Sequence, residues 1–430
     1  MNNKIGIIAD DFTGANDSGV QLALKGLRSS VILNCKSEGS MQDREVLIID
    51  TNSRSLDAIE ANAAVKKAAL MLKELGYHHI YKKVDSTLRG NIKAELEALE
   101  EVYQPDLIVI APALPKMGRT TRLGRHYVNG TLISETEFGK DPKTPVTESY
   151  IPHLLLNKNG RNASVFSKDI LHGSEEVFHQ QIDKCLKQSI SWVVCDVDWE
   201  SDFQIILERF KKTGKKIVWV GSAGLIEYLP ESLQVKGKVI NSSPPPIGKT
   251  LTVSGSLSKM TKLQLEEAAQ LNEVFAIQVD VRKLLQPHFE TSSILEAINS
   301  HSNVKHYMVY VESNEENRDI AQFEGKRQGL NKVEISERIA RGLGTLANDI
   351  CNQYDDINGL IITGGDIAKA VCSTLGVHEM ELISEVEPGL PFGRLIGNGK
   401  DLWAVTKAGG FGNRESLKNA MNFLIGMCEH

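Results

Sequence analysis

The sequence predicts an α/β protein made of two doubly wound, Rossmann-like domains, each with a mainly parallel sheet, and an active-site cleft between them. Apolar runs of strand length alternate with helical patterns, the alternation restarts in the second half, and a proline-rich stretch separates the halves. Such alternation is typical of parallel sheets with right-handed crossovers. A chain of 430 residues is also longer than one ordinary core requires, which favours two domains.

In the first half, a strand is predicted at residues 5–8. The loop that follows, within residues 9–19, contains three aspartates and leads into a helix with apolar side chains every three or four positions. Helices are predicted at about residues 56–75 and from residue 92. The long segment 112–150 interrupts the alternation and is expected to be functional or to form hairpins. Further strands are predicted at residues 31–33, 46–49, 79–83, 107–111, 192–196 and 217–220.

Residues 241–249 contain three consecutive prolines, which favour an extended linker and exclude a helix or a central strand. We therefore predict a first domain at residues 1–240 and a second at residues 250–430. The second domain is expected to carry a long helix at about residues 336–354. Its strands are predicted at residues 251–253, 275–279, 307–311 and 360–362.

The composition excludes several classes of function. The formal net charge is −6, so nothing indicates a nucleic-acid partner or an acidic membrane surface. Six scattered cysteines without a CxxC pair predict reduced thiols and no zinc site. No signal peptide is apparent, and the longest apolar run, residues 107–114, is too short to cross a bilayer. We expect a cytoplasmic protein without a membrane partner.

Charged residues stand at the ends of three predicted strands of the first domain, where parallel strands open onto a common crevice. A small polyhydroxylated acid would suit them, because carboxylates accept hydrogen bonds from hydroxyls, arginine grips a carboxylate with two bonds, and lysine adds a point charge. The candidates are Asp10 and Asp11 after the first strand, Arg54 after the third, and Lys82, Lys83 and Asp85 at the fourth.

Structural roles remain open for the same residues. Asp17 is well placed to cap the first helix, and Asp85 could cap the helix that follows it. The aspartates of residues 10–17 could instead bind a metal. Arg54 and the arginine cluster of residues 119–125 could simply be exposed.

Three glycine-bearing loops follow strands of the second domain. A glycine pair that opens a helix lets a phosphate approach backbone N–H groups at the positive helix end. Neither a P-loop nor a GxGxxG fingerprint is present, which argues against a Walker-type nucleotidase and a dinucleotide dehydrogenase. The candidates for phosphate binding are Ser254, Ser256, Thr363, Gly364, Gly365, Asp366 and Gly409.

An acid-binding domain joined to a phosphate-binding domain suggests phosphoryl transfer, which depends on positioning, charge neutralisation and exclusion of water. Asp85 and Asp366 are both candidates for the catalytic base, and the sequence does not choose between them. A non-catalytic sensor that closes on a sugar acid is an alternative of another class. Mg²⁺ is expected because phosphoryl donors react as magnesium complexes, although no dedicated metal site is apparent.

Several motifs also carry a resemblance to a known family. Residues 9–17, 83–90, 118–120 and 135–139 resemble the substrate domain of the four-carbon acid sugar kinases. Residues 254–256, 363–366 and 405–412 are similar to the nucleotide domain of the same family, so the resemblance runs nearly from end to end.

The resemblance implies ATP-dependent phosphorylation of the terminal hydroxyl of a four-carbon sugar acid. It places Asp10, Arg54 and residues 82–85, including Val84, at the acid, and it places Ser256, residues 363–366 and Gly409 at ATP. Asn16 is more similar to the threonate branch, so we expect D-threonate to be converted to 4-phospho-D-threonate. Phosphorylation of 3-oxo-tetronate or D-erythronate is the alternative, and a homo-oligomer is not decided by the sequence.

Overall fold

The computed structural model describes residues 4–33, 44–141, 144–156, 163–237, 246–397 and 399–426. These residues form two compact units: a first unit that contains the described residues up to Val31 and from 44 to 237, and a second that contains Ile32, Leu33 and residues 246–426. The linker predicted at residues 241–249 lies mostly outside the described residues.

The first unit is a parallel sheet with helices. Its sheet strands are β1 (Ile5–Ala9), β2 (Ser29–Ile32, whose last residue belongs to the second unit), β3 (Val46–Asp50), β4 (His79–Lys83), β5 (Leu107–Ala111), β9 (Ser164–Phe166), β10 (Trp192–Cys195) and β11 (Ile217–Gly221). Their order is β2-β3-β1-β4-β11-β5-β10-β9, and the seven strands from β3 to β9 in this order pair in parallel. The alternation of strands and helices therefore predicted this sheet.

The helices of the first unit follow its strands. They are α1 (Phe12–Ala23), α2 (Ala58–Glu74), α3 (Ile92–Tyr103), α4 (Ile151–Leu154), α5 (Lys168–Leu171), α6 (Glu175–Lys187), α7 (Glu200–Lys212) and α8 (Ala223–Leu233). Helices α2 and α3 pack together, as do α1 and α8. Every residue of β1 and β5 is buried, which explains their continuous apolar sequence, because strands covered on both faces need no polar side.

The segment 112–150 forms a small antiparallel sheet of three strands, so the hairpins expected there are confirmed. The strands are β6 (Arg119–Arg122), β7 (Arg125–Val128) and β8 (Thr131–Leu132). Isolated bridges from Thr121 to Val197 and from Arg125 to Tyr150 hold this sheet to its own unit.

The second unit has a mixed sheet in the order β13-β14-β12-β15-β18-β17-β16. Its strands are β12 (Lys249–Ser254), β13 (Val274–Gln278), β14 (His306–Tyr310), β15 (Ile357–Thr363), β16 (Glu379–Glu385), β17 (Pro391–Ile396) and β18 (Leu402–Lys407). Its helices are α9 (Lys259–Ala268), α10 (Val281–Leu284), α11 (Ser292–Ser300), α12 (Glu315–Arg327), α13 (Lys332–Gln353), α14 (Gly365–Thr374) and α15 (Ser416–Gly426).

Two features differ from the sequence-based expectation. Strands β16 and β17 form an antiparallel pair, and β17 also runs antiparallel to β18. The expected cap at Asp17 is wrong: Asp11 is the N-cap of α1, and its carboxylate accepts from the N–H of Gly14 at 3.0 Å. An N-cap must precede the first turn, whereas Asp17 lies inside the helix.

Candidate functional site

The carboxyl ends of β1, β3 and β4 bring the predicted acid-binding loops together in the first unit. Thr51 ties the loop after β3 to β1, since its hydroxyl donates to the carbonyl of Ala9 at 2.7 Å. Asn52 and Leu88 adopt left-handed backbone conformations, with φ of 50° and 59°. Residues other than glycine rarely adopt such angles, and backbone strain of this kind is concentrated at functional loops.

Arg54 is the centre of a carboxylate network. Its Nε and Nη2 donate to Asp10 at 2.7 and 3.0 Å, and its Nη1 and Nη2 donate to Asp11 at 2.8 and 2.6 Å. Four of its five N–H groups are thus engaged. The sequence suggested a fork that grips a substrate carboxylate, but in this structure the fork holds Asp10 and Asp11 in place.

Burial and charge act in opposite directions on this network. Burial of Asp10 raises the pKa of its carboxyl, but the charge and hydrogen bonds of Arg54 and the charges of Lys82 and Lys83 outweigh it, so the pKa is lowered. Burial likewise lowers the pKa of Arg54, and Asp10 and Asp11 raise it well above the ordinary value. Asp10 is therefore ionised and can accept a hydrogen bond from a hydroxyl group.

Lys82 has a structural position that its sequence neighbourhood did not reveal. The side chain is 0% exposed, and its Nζ lies 2.8 Å from Oε2 of Glu95, which is itself buried on α3. The other oxygen of Glu95 accepts from Ser53 at 2.5 Å. Lys82 is therefore held in a buried ion pair that fixes the loop containing Arg54 against α3.

Lys83 extends toward the start of α1. Its Nζ donates to the carbonyl of Val84 at 3.1 Å, and a Cβ at Gly14 would come within 2.6 Å of that Nζ. Glycine at this position thus allows the ammonium to approach the helix. Val84 is buried, and its N–H donates to the carbonyl of Gly221 at 2.9 Å, so it contributes backbone position to the site.

Asp85 lies in a second ionic group. One of its oxygens accepts from Thr87 Oγ1 and from Arg89 Nε, both at 2.5 Å, and Arg89 also reaches Asp141 at 3.4 Å. Burial raises the pKa of Asp85, but the charges of Arg54 and Arg89 outweigh it and hold the pKa well below the usual range. Asp85 does not cap α3, which begins after Asn91.

Arg119 stands beside this ionic group at the start of β6. Its guanidinium interacts electrostatically with Asp85, Arg89 and Glu137. His126, on the paired strand β7, is fully buried between Thr121 and the carbonyl of Ser86, and burial lowers the pKa of its imidazole to about 4. His126 is therefore neutral at ordinary pH and has a positioning role.

The three adjacent strands β12, β15 and β18 of the second unit end in one row, in which Ser254 pairs with Thr363 and Thr363 pairs with Lys407. The hydroxyls of Ser254 and Thr363 are buried and have no hydrogen-bond partner among the described residues. Buried polar groups normally have partners, so two orphaned hydroxyls at the strand ends indicate a ligand site.

A helix begins beside this row. Gly364 has a φ of 100°, which only glycine adopts readily, and its N–H donates to the carbonyl of Lys407 at 2.8 Å. Helix α14 starts directly afterwards with Gly365 and Asp366, so its free N–H groups and positive end lie at this edge. The Asp366 side chain is exposed in the first turn of this helix.

The glycine loop at residues 408–413 is held by its carbonyls. Lys407 Nζ donates to the carbonyls of residues 408, 409 and 411 at 2.9, 3.2 and 3.1 Å. Thr261 and Gln264 of α9 donate to carbonyls of the same loop. Because N–H groups point away from their carbonyls across each peptide plane, this arrangement favours N–H groups on the outer side of the loop.

We expect ATP binding to weaken as the pH rises through about 8. Burial lowers the pKa of Lys407 to about 8, despite the opposing charge of Glu387. Below that pH the ammonium has three donors for the loop carbonyls, and above it one donor is lost. The KM for ATP should therefore rise between about pH 7 and about pH 9.

The matched variant for this pH dependence is Lys407→Met. Its KM for ATP should be high at both pH values and nearly independent of pH. Lys407 would have no role in the loop if the KM of wild type did not change with pH and the KM of Lys407→Met were equal to it at every pH.

Gly409→Ala should raise the KM for ATP about tenfold, because a Cβ at Gly409 would overlap the hydroxyl oxygen of Ser256. Ser256 in turn accepts from the N–H of Ser258 at the start of α9, so the change would separate two predicted phosphate loops. The neighbouring Gly410 provides the control, since a Cβ added there would meet no heavy atom of the described residues within 4 Å. Steady-state kinetics with Gly410→Ala should show a markedly smaller effect, and equal effects would contradict the packing role.

The described parts of both units lack a preformed metal site. Among these residues, no group of three or more His, Cys, Asp or Glu side chains could hold a metal ion. The absence of such a group among the described residues suits magnesium that is bound mainly by nucleotide phosphates and by at most one or two protein carboxylates. Asp366 is an exposed carboxylate that could serve as such a ligand. The aspartates of residues 10–17 do not form a metal cluster, since Arg54 binds two of them.

Some residues of these sites escaped sequence reasoning. Lys407 stood inside a recognised motif, but only the fold shows that its ammonium supports the glycine loop. Arg89 and Arg119 were also visible in charged stretches, although nothing in the linear sequence showed which of the many arginines faces Asp85.

Comparison with known proteins defines the class. Residues 5–229 match the family model of a sugar-binding N-terminal domain, and residues 251–417 match that of a nucleotide-binding C-terminal domain. Together these cover most of the chain, which therefore belongs to the four-carbon acid sugar kinase family, as the motifs predicted.

Individual relatives agree with this class. A D-threonate kinase of Salmonella typhimurium is 34% identical, with 98% of each chain covered. A D-erythronate kinase of Heliobacterium modesticaldum is 28% identical, and the match covers 99% of this chain and 98% of the relative. A 3-oxo-tetronate kinase of Actinobacillus succinogenes is also 28% identical, and the match covers 98% of this chain and 100% of the relative. A solved Haemophilus influenzae structure matches with a TM-score of 0.77 at 25% identity, over 97% of this chain and all of that one.

No helix among the described residues is both long and apolar enough to span a membrane.

Proposed function

We propose that this protein is an ATP-dependent kinase that phosphorylates the 4-hydroxyl of D-threonate. The observation that carries the proposal is the paired ionic network of the first unit, in which Arg54 holds Asp10 and Asp11 while Arg89 holds Asp85. Ordered carboxylates suit the hydroxyls of a sugar acid, and nearby cations suit its carboxylate. The substrate named for the 34% identical relative supports D-threonate in particular.

The second unit supplies the features expected of the nucleotide partner. The hydroxyls of Ser254 and Thr363, which have no partner within the described ranges, lie at the carboxyl ends of neighbouring strands. The start of α14 and the carbonyl-anchored loop after Lys407 lie at the same ends. Backbone N–H groups at a helix start bind phosphate oxygens well. Magnesium, when bound with ATP, would neutralise charge on the β- and γ-phosphates.

Asp85 is the stronger candidate for the catalytic carboxylate. It lies among the residues proposed to bind the acid, whereas Asp366 is exposed at the start of α14 among the nucleotide loops. In the reaction, the 4-hydroxyl oxygen forms a bond to the γ-phosphorus as the bond to ADP breaks. Asp85 orients that hydroxyl and accepts its proton, and its low pKa means that the proton then passes to water.

A panel of four-carbon acids tests the proposed substrate. ADP release should be measured with D-threonate, D-erythronate and 3-oxo-tetronate, and D-threonate should give the highest kcat/KM. A higher value for D-erythronate or 3-oxo-tetronate would transfer the assignment to that acid. Tight binding of an acid by calorimetry, without turnover of any, would instead favour the non-catalytic sensor.

A further inference from the structure

Three of the cations around Asp10 and Asp85 are occupied by the protein itself, whereas Lys83 donates, among the described residues, only to the carbonyl of Val84. Four N–H groups of Arg54 are bound to carboxylates, and Lys82 is paired with Glu95. Arg89 donates to Asp85 and Thr87, and it packs against the ring of Phe138. A sugar acid brings a carboxylate that needs donors of its own, and these side chains have few to offer.

Arg119 differs from Arg54, Lys82 and Arg89 in the hydrogen bonding of its side chain. Its Nε is buried without a hydrogen-bond partner, and no side-chain hydrogen bond or ion pair joins its guanidinium to any residue in the described ranges. Its backbone is nevertheless fixed, because its N–H and C=O both bond to Leu114, at 3.1 and 2.9 Å. Gly118, with a φ of 68°, makes the turn that places it there.

A guanidinium whose Nε is buried without a partner is costly, because that N–H has lost water without gaining a hydrogen bond. Burial indeed lowers the pKa of Arg119 from its ordinary value, although a guanidinium stays charged. The nearby charges of Asp85 and Glu137 favour the cation, and that of Arg89 opposes it. An anion with two oxygens would satisfy the planar fork.

We propose that Arg119 binds the carboxylate of the sugar acid and thereby selects acids over neutral polyols and amides. This inference rests on the proposed function. It assigns the two ends of a four-carbon substrate to neighbouring groups, with the terminal hydroxyl at Asp85 and the carboxylate at Arg119. The hairpin that contains Arg119 lies beside Asp85, because His126 of β7 bonds the carbonyl of Ser86. Arg119 shares a face of β6 with Thr121, whose hydroxyl bonds His126.

Substrates that differ only in the carboxylate provide the test. The KM and kcat should be measured for D-threonate and for its neutral amide, and the Kd of each by calorimetry. Arg119→Gln should raise the KM and Kd for D-threonate about a hundredfold while changing those for the amide little. Arg119→Lys should recover part of the loss, because it restores charge without the fork.

Arg122→Gln is the matched control on the same strand. Arg122 is 59% exposed in its side chain and pairs with Asp198, so its removal should leave the preference for the acid unchanged. Thermal unfolding of each variant separates loss of fold from loss of binding. An Arg119→Gln protein that is folded and still prefers the acid as strongly as wild type would overturn the inference. An increase confined to the KM for ATP would also overturn it and would assign Arg119 to the nucleotide.

The same measurements distinguish this inference from the proposed function. If wild type binds the acid without turnover and Arg119→Gln loses that binding, the kinase assignment fails while the role of Arg119 stands. If wild type phosphorylates the acid and Arg119→Gln discriminates normally, the kinase assignment stands and the role of Arg119 fails. If wild type binds no four-carbon acid, both fail.

Discussion

Asp85→Asn is expected to lower kcat about a thousandfold, with a much smaller change in the KM for the acid. Asparagine keeps the size of the side chain but can neither take the proton nor carry the charge that Arg54 and Arg89 now share. Steady-state kinetics with the four-carbon acid and ATP measure both constants. The effect belongs to the transition state if kcat and kcat/KM fall together.

Asp198→Asn provides the comparison for Asp85. Asp198 is also ion-paired and largely buried in the first unit, but its partners are Arg122 and Lys168 rather than the residues proposed to bind the acid. Its amide variant should keep kcat near that of wild type. If Asp85→Asn raised only the KM, Asp85 would be a binding residue and the base would have to be sought elsewhere, with Asp366 the next candidate.

Arg54→Met is expected to lower the free energy of unfolding by about 3 kcal/mol and to abolish measurable turnover. Removing one member of a buried ionic group leaves the others uncompensated, and here Asp10 and Asp11 would both lose their main partner. Denaturant unfolding measures the first effect. The exposed pair between Arg394 and Asp401 is the control, since Arg394→Met should cost less than about 1 kcal/mol.

The loss in Arg54→Met should also depend on pH. In wild type the pKa of Asp10 is lowered, so its stabilising contribution is present above the ordinary carboxyl pKa of about 4 and is lost as the pH falls below that value. Without Arg54, burial is expected to raise the pKa of Asp10, and protonation would then relieve the variant. The stability difference between the two proteins should therefore shrink at low pH, and a constant difference would contradict the network.

The sequence was sufficient for the parallel strands because each central strand is a short apolar run between turn residues. It did not reveal the antiparallel pair of β16 and β17, because Glu379, Glu381 and Glu385 obscure the apolar pattern of β16. It placed the cap of α1 at Asp17 instead of Asp11, because acidic residues occur on both sides of the helix start and only backbone geometry shows where the first turn begins.

For the candidate site, the sequence identified loops better than it identified roles. Asp10, Arg54 and Asp85 were expected together because they follow strands of one sheet, and their electrostatic coupling agrees. Adjacent lysines of a strand point to opposite faces, but a linear sequence does not show that Glu95 lies opposite Lys82 on one of them. The position of Arg119 depends on how the hairpin of β6 and β7 folds back, and the periodicity of the sequence does not show this.

The most direct test of the proposed function is the position of the new phosphate. D-threonate and ATP should be incubated with the protein and the product examined by phosphorus NMR with proton coupling. A phosphate on the terminal carbon couples to two protons and should appear as a triplet, accompanied by stoichiometric ADP. A doublet from a secondary position, or ATP hydrolysis without any sugar-acid ester, would contradict the assignment.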